Sequence, residues 1–212
     1  MTLDRAEFEA RYRSGTLKLA LIGMSNIGKS FSGMRLATHY DFTLIEVDRL
    51  IWEALGETDM DAFAAWQGQP YSEGYAERER ESIARESEAT RRSLRTEARN
   101  PLLDTTGSVI YTDEDVLRKL SDDWYTVYIE AAPDHLERLK SQYFAQPKPL
   151  AWNGHYRKRQ GMNETESLLA SYPDLLASRA DAYAALADRT VSSGDILVPD
   201  VAALFDLVKP PA

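Results

Sequence analysis

The residues best suited to chemistry form one short segment, Gly23–Ser30, with the sequence GMSNIGKS. Two glycines separated by four residues let the backbone curl so that N–H groups surround phosphate oxygens. Lysine then supplies a cation for the β- and γ-phosphates, and serine supplies a hydroxyl ligand for Mg²⁺. The segment predicts a site for ATP and Mg²⁺, the alternative being a tight turn without a ligand. The predicted nucleotide contacts here are Gly23, Ser25, Asn26, Ile27, Gly28, Lys29, Ser30 and Phe31.

Three carboxylates follow apolar runs that predict strands. Glu46 and Asp48 lie one residue apart, so both are expected to point to the same side of a strand, and Asp104 ends the run PLLD. Ligands of open α/β sheets bind at the carboxyl ends of the strands. We therefore expect Asp48 to orient or deprotonate an acceptor hydroxyl, and Glu46 and Asp104 to join Ser30 in holding Mg²⁺. The alternative is helix capping, above all by Asp48 before a helix at 49–55.

A basic segment at residues 141–162 carries four cations and no acid, in a chain whose net charge is −9. Its prolines and glycines predict a long loop, and long loops in compact domains are often functional. We expect a lid that closes over the transferring phosphates, with Lys148 at the γ-phosphate and support from Arg157 or Arg159. The alternative is an ordinary solvated loop.

The elements that must position these residues alternate between apolar runs and helical periodicity. This alternation predicts an α/β protein with a parallel sheet and crossover helices. The predicted strands are 17–24, 43–48, 101–105, 124–131 and 190–192. The predicted helices include 29–39 and 200–208, and an N-terminal helix within residues 1–16.

Residues 71–99 contain seven Glu and seven Arg, many of them three or four residues apart. Such spacing supports a helix through side-chain pairs. The apolar stripe is thin, with Tyr75, Ile83 and Leu94, so we predict a solvated helix packed on one side. A helix that binds a partner is the alternative. No linker divides the chain, and residues 1–212 are predicted to form a single domain.

Composition excludes several classes of function. A total of 25 Lys and Arg against 34 Asp and Glu argues against a general nucleic-acid binder. No stretch approaches 18 uncharged apolar residues, which predicts a cytoplasmic protein without a membrane partner. The absence of cysteine excludes a disulfide framework and a thiolate metal site. The charge is also unevenly distributed along the chain. The segment at 141–162 carries a net charge of +4, so the rest of the chain carries −13.

Most of the chain, residues 18–191, resembles the shikimate kinases of the nucleoside-monophosphate-kinase group of P-loop phosphotransferases. The segments that carry the resemblance are LIGMSNIGKS, LIEVDRLI, SEGYAERERESI, LLDTTGSV, PKPLAW and LLASRADAYAALADRTV. The resemblance implies a three-layer P-loop kinase fold with a short five-stranded parallel sheet in the order 2-3-1-4-5. It also implies a helical substrate subdomain at 49–99 and a lid at 141–162.

The resemblance implies roles for single residues as well. It places Glu46 on the metal side and Asp48 on the substrate, with Gly107 in the turn beside the substrate. It implies that Arg179 binds an acceptor carboxylate and that Arg138 contacts the nucleotide.

The chain departs from the family pattern mainly on the substrate side. Asn26 and Ala76 stand where the family has glycine and a carboxylate-binding arginine, a triple-glycine turn is reduced to Thr106-Gly107, and Lys148 replaces the lid arginine. We therefore expect an ATP-dependent kinase for a hydroxyl of a small molecule other than shikimate, which Arg179 would hold if it is anionic. The alternatives are a nucleoside or nucleotide kinase, or a regulatory nucleotide-binding protein without turnover.

Overall fold

The structure, a computed structural model, describes residues 1–55, 60–145 and 150–211. The strands are β1 (Leu19–Ile22), β2 (Thr43–Glu46), β3 (Pro101–Asp104), β4 (Tyr125–Glu130) and β5 (Arg189–Ser192). The helices are α1 (Arg5–Ser14), α2 (Lys29–His39), α3 (Val47–Leu55), α4 (Met60–Gln67), α5 (Tyr75–Ser93), α6 (Glu114–Asp123), α7 (Pro133–Ala145), α8 (Glu164–Leu186) and α9 (Val201–Val208). In the described part of the chain no helix is both long and apolar enough to cross a membrane.

The five strands form one parallel sheet in the order β2-β3-β1-β4-β5. This confirms the predicted α/β fold and its strand order. Because all strands run in the same direction, the segments that follow β1, β2 and β3 leave the sheet side by side. Asp104 is in register with Glu46 of β2 on one side and with Leu21 of β1 on the other. The sheet order alone thus brings two of the predicted carboxylates next to the loop after β1.

Helix α2 lies close against the sheet and fixes where the loop before it ends. A Cβ atom on Gly33 would lie 3.1 Å from Leu44 Cδ1 and 3.2 Å from Leu102 Cδ2, so the helix backbone approaches β2 and β3 closely. Arg35 of the same helix donates to the carbonyl oxygens of Val198 and Pro199 at 2.7 and 2.8 Å. Both contacts hold the N-terminus of α2 at the carboxyl edge of the sheet.

Helix α1 completes the main hydrophobic core. Phe8 is fully buried, and its ring centroid lies 5.3 Å from that of Tyr125 in β4 and 6.2 Å from that of Phe205 in α9. The α1 N-terminus is capped by Asp4, whose side chain accepts the N–H of Glu7. The N-terminal helix is therefore part of the packed core.

Several predicted element boundaries are wrong, since β1, for example, covers only Leu19–Ile22 of the predicted 17–24. Strand β2 ends at Glu46 and α3 begins at Val47, so Asp48 lies in the first turn of a helix and not on the strand with Glu46. The capping alternative for Asp48 fails for the same reason, because the helix begins before it. The apolar face of α3 explains the early start, since Val47 and Ile51 are four residues apart and both buried. The helix predicted at 71–99 is the shorter α5.

Truncating Phe8 tests its place in the core. We expect Phe8→Ala to lower the free energy of unfolding by about 3 to 5 kcal/mol, because it removes a fully buried ring and leaves a cavity. Phe8→Leu, which keeps most of the volume, should cost clearly less. Urea denaturation followed by circular dichroism measures both, and a loss below about 1 kcal/mol for Phe8→Ala would show that α1 is not part of the cooperative core.

Candidate functional site

The loop between β1 and α2 has the backbone bends that its sequence predicts. Gly23 and Gly28 have φ angles of +142° and +111°, and Asn26 has +62°. Asparagine is one of the few non-glycine residues that adopt this left-handed region readily. Asn26 therefore keeps the bend at a position where the resemblance leads one to expect glycine. A Cβ atom on Gly23 would lie 2.7 Å from the carbonyl oxygen of Ile129, so a side chain there would collide with β4.

Lys29 holds its ammonium group beneath this loop. The side chain is 6% exposed, and Nζ donates to the carbonyl oxygens of Gly23 at 3.0 Å and Met24 at 2.9 Å. Burial lowers the pKa of Lys29, and nearby carboxylates oppose that effect, Asp104 most strongly. The cation is thus held at the point where a bound nucleotide would present its phosphates.

A cavity of about 980 Å³ opens beside the phosphate loop at the carboxyl edge of the sheet. Most predicted site residues line it, namely Ser25, Asn26, Gly28, Lys29, Ser30, Phe31, Glu46, Asp48, Asp104, Gly107, Arg138 and Arg179. Gly23 and Ile27 shape the loop from behind without lining the cavity, and Lys148 lies outside the described residues. The shift of Asp48 into α3 therefore does not take it away from the cavity.

Three oxygen-bearing side chains at one end of this cavity fit a magnesium ion. Asp104 is 5% exposed, and its Oδ1 has no partner among the described residues, whereas the hydroxyl of Ser30 bonds to the same carboxyl group. Glu46 lies beside it in register, and burial raises the pKa of Asp104. Mg²⁺ prefers such oxygen ligands and often takes only one or two carboxylates, with phosphates and waters completing its shell. Among the described residues no cluster of three or more His, Cys, Asp or Glu side chains forms a complete cage.

The turn after β3 touches the phosphate loop directly. A Cβ atom on Gly107 would lie 2.5 Å from Ser25 Oγ and 2.9 Å from Ser25 N, distances too short for any side chain. The carbonyl oxygen of Gly107 also accepts hydrogen bonds from Arg179, at 2.9 Å, and from the hydroxyl of Tyr183. Gly107 is therefore required for the contact between these two loops.

Arg179 is a buried connector between the turn after β3 and the segment at residue 151. It is 1% exposed, and besides Gly107 it donates to the carbonyl oxygen of Ala151 at 3.0 Å and to Ser108 Oγ at 3.2 Å. Its guanidinium lies 5.2 Å from the ring centroid of Tyr111, and Nε has no partner within the described part of the chain. Although it lines the cavity, most of its donors are engaged by the protein itself.

Glu86 also lines the cavity, although no sequence motif singles it out. It lies on α5, is 5% exposed, and accepts a hydrogen bond from the hydroxyl of Thr106. Burial raises its pKa to about 8, the charge of Asp48 adds to the rise, and Arg179 and Lys29 oppose it. A carboxyl group that is largely protonated near neutral pH thus lies in the wall of the site.

The sequence did contain a signal for this residue. Glu77, Glu81 and Glu88 of α5 each have an arginine three or four residues away, which suits a solvated face. Glu79 and Glu86 have none at those spacings. These two are the glutamates that α5 turns toward the rest of the protein.

Glu79 and Tyr75 anchor the described base of the predicted lid to α5. A carboxyl oxygen of Glu79 accepts the backbone N–H groups of Trp152 and, at 2.9 Å, of Asn153. The hydroxyl of Tyr75 donates to the carbonyl oxygen of Leu150 at 2.8 Å, and Trp152 is 1% exposed. The segment that begins at residue 150 is therefore docked on the helix that carries Glu86.

The other cations of the predicted lid do not line the cavity in this structure. Arg157, Lys158 and Arg159 are exposed. Lys158 pairs with Glu164 at 3.1 Å, and Arg159 donates to the carbonyl oxygen of Ala170 at 3.0 Å. Their bonds tie the loop to α8, so the support expected from Arg157 or Arg159 at the γ-phosphate is not present in this arrangement.

Known proteins similar to this chain share both its sequence pattern and its fold. A family model described as "Shikimate kinase" matches residues 25–195. The shikimate kinase of Acinetobacter baumannii, solved in complex with shikimate, aligns with a TM-score of 0.59 at 18% identity, over 93% of this chain and 92% of that one. The shikimate kinase of Bacteroides thetaiotaomicron aligns with a TM-score of 0.57 at 18% identity, over 91% of this chain and 94% of that one. The shikimate kinase of Aquifex aeolicus aligns with a TM-score of 0.56 at 18% identity, over 91% of each chain. No curated protein sequence matches.

Gly107→Ala tests the contact between the turn and the phosphate loop. The added Cβ would displace the backbone of Ser25, so we expect the affinity for a non-hydrolysable ATP analogue with Mg²⁺ to fall at least tenfold in calorimetry. Gly194→Ala is the matched control, because a Cβ there would meet only Ser192 Oγ at 3.6 Å. An unchanged affinity in Gly107→Ala would contradict the assigned contact.

Glu86→Gln tests the buried carboxyl group through the pH dependence of stability. The pKa of Glu86 rises from 4.5 to about 8 on folding, so its stabilising contribution is complete below pH 4.5 and is lost as the pH rises through 8. Glutamine stays neutral, so the unfolding free energy of the variant relative to the native chain should increase by roughly 4 kcal/mol between pH 5 and pH 9. Urea titrations measure this, with the exposed Glu81→Gln as the control. A difference that is constant with pH would contradict the burial of a titrating carboxyl group.

Proposed function

Because the chain belongs to the shikimate kinase family, we propose that it is an ATP-dependent kinase that phosphorylates a hydroxyl group of a small molecule other than shikimate. The observation that carries the proposal is that the phosphate loop and Asp48 line one cavity. A phosphate donor at one end and an acceptor at the other would thus share a single cavity. Phosphoryl transfer depends chiefly on such positioning and on stabilising charge.

On the nucleotide side, the loop and α2 supply the phosphate contacts. The N–H groups of the loop and the N-terminus of α2 attract the phosphate oxygens, and Lys29 exchanges its bonds to loop carbonyls for bonds to phosphate. Arg138 and Phe31 line the exposed part of the cavity and would contact the rest of the nucleotide. Ser30, Glu46 and Asp104 would hold Mg²⁺, which when bound neutralises phosphate charge.

On the acceptor side, Asp48 is the proposed base. A bond forms between the acceptor oxygen and the γ-phosphorus, the bond from that phosphorus to the β,γ-bridging oxygen breaks, and the hydroxyl proton passes to the Asp48 carboxylate. Lys29 stabilises the charge that develops on the phosphoryl oxygens and the leaving group. Lys148 of the proposed lid at 141–162 would add a second cation over the γ-phosphate.

The composition of the acceptor wall supports a substrate other than shikimate. Ala76, which stands where the family has a carboxylate-binding arginine, is exposed on the first turn of α5. Arg78, the nearest arginine on the helix, donates to the carbonyl oxygens of Gln67 and Glu73, both at 3.0 Å. Arg179 is bonded to backbone carbonyls. No arginine on α5 therefore replaces the cation that Ala76 lacks.

The activity is tested by measuring ATP consumption with Mg²⁺ across shikimate, neutral polyols, sugar acids and nucleosides. We expect turnover of a non-nucleoside hydroxyl compound and poor turnover of shikimate. Phosphorylation of nucleosides alone would establish the nucleoside kinase alternative. Tight ATP binding without turnover of any acceptor would favour the regulatory alternative and contradict the proposal.

Asp48→Asn tests the proposed base once an acceptor is known. We expect kcat to fall by about 10² to 10⁴-fold, as for loss of a general base, with little change in the affinity for the ATP analogue. The control is Glu53→Gln, which changes an exposed carboxylate of the same helix that pairs with Arg49. Unchanged kcat in Asp48→Asn would exclude Asp48 as the base.

A further inference from the structure

We propose that the acceptor is an uncharged polyol and that Glu86 binds it through hydrogen bonds to its hydroxyl groups. This inference rests on the proposed kinase activity and names the class of its substrate. It follows from which side chains α5 presents to the cavity, from the bonds that already occupy Arg179, and from the two carboxyl groups that face the acceptor.

The inward face of α5 carries no cation. This face consists of residues three or four positions apart in the sequence, namely Tyr75, Glu79, Ser82 and Glu86. Of these, Ser82 and Glu86 line the cavity. The helix contains five arginines, all within the described residues, and none of them lines the cavity: Arg78, Arg80, Arg85, Arg91 and Arg92. A helix that is rich in arginine therefore presents a hydroxyl and a carboxyl group to the acceptor.

An anionic acceptor would meet unfavourable groups at this wall. Glu86 and Asp48 lie close enough to interact electrostatically. Asp48 would repel a carboxylate, and Glu86 would repel it as well once the pH exceeds its pKa of about 8. The hydrogen bonds of Arg179 to the turn after β3 and to Ala151 use three of its five N–H donors, and both donors of Nη2 are among them. A bidentate bond to a carboxylate through Nη2 would therefore break bonds that hold the turn or the lid base, such as the one to the carbonyl oxygen of Ala151. Unsatisfied buried carbonyl groups are costly, so this exchange is unfavourable.

An uncharged polyol matches the same wall. A carboxyl group in either protonation state can accept a hydrogen bond from a hydroxyl, and Ser82 can both donate and accept. Gln67 is 1% exposed and lines the cavity next to Ser82, with 3.4 Å between Gln67 Oε1 and Ser82 Oγ. Trp52 and Phe63 line the cavity as well and supply apolar surface for the C–H groups of a ring.

The test compares two acceptors that differ only in charge, shikimate and its primary carboxamide, with myo-inositol as an unrelated neutral polyol. We expect kcat/KM for the amide to exceed that for shikimate at least tenfold. At pH 9, where Glu86 is ionised, Glu86→Gln removes its repulsion of a carboxylate, so this ratio should fall at least fivefold. Glu81→Gln, an exposed change on the same helix, should leave the ratio unchanged.

Two results would overturn the inference: shikimate used as well as its amide by the native chain, or a ratio that Glu86→Gln leaves unaltered. If no acceptor turns over, the amide and shikimate are compared by their dissociation constants instead. Calorimetry in the presence of a non-hydrolysable ATP analogue measures these constants. Lack of turnover with a preserved preference for the amide would contradict the kinase activity alone. Failure of both the amide and myo-inositol to bind would contradict the substrate class.

Discussion

The site depends on one buried cation, the ammonium group of Lys29. Burial disfavours this charge, and the protein compensates with two loop carbonyls and with carboxyl groups from three different elements. Asp104 comes from β3, Asp48 from α3 and Glu86 from α5. These acids are concentrated at the carboxyl edge of the sheet, where without Lys29 they would repel one another. The position of the ammonium thus determines where the acidic side chains of the candidate site can lie.

The features that can be predicted correctly from the sequence are those encoded in continuous stretches of residues. The phosphate loop is recognisable because glycine spacing and the Lys-Ser pair are local requirements of phosphate binding. The strands are recognisable because buried parallel strands are short apolar runs. The sequence predicts a strand that reaches Asp48, because the order of apolar and polar residues in 43–48 is compatible with a strand whether or not its last two residues begin a helix. The amphipathic face of α3, which includes Val47, decides that boundary.

The features that were missed depend on how distant elements face one another. In the sequence, Glu86 is one of many charges in a segment typical of a solvated helix, and only the rotation of α5 against the turn after β3 brings it to Thr106. The bonds of Arg179 to Gly107 and Ala151 likewise join segments far apart in the chain. No local pattern encodes such contacts. The absence of an arginine three or four residues away from Glu79 and Glu86 is the one trace that the contacts of α5 leave in the sequence.

Helix α5 carries the wall of the proposed acceptor site and the anchor of the proposed lid on the same side. Glu86 faces the cavity, and Glu79, seven residues earlier, holds the N–H groups of Trp152 and Asn153. Seven residues of a helix span about 10 Å, so a single element joins the two places. In the proposed kinase, an acceptor that fixed the position of α5 would also fix the segment that begins at residue 150. Water would then have less access to the transferring phosphate once the acceptor is bound.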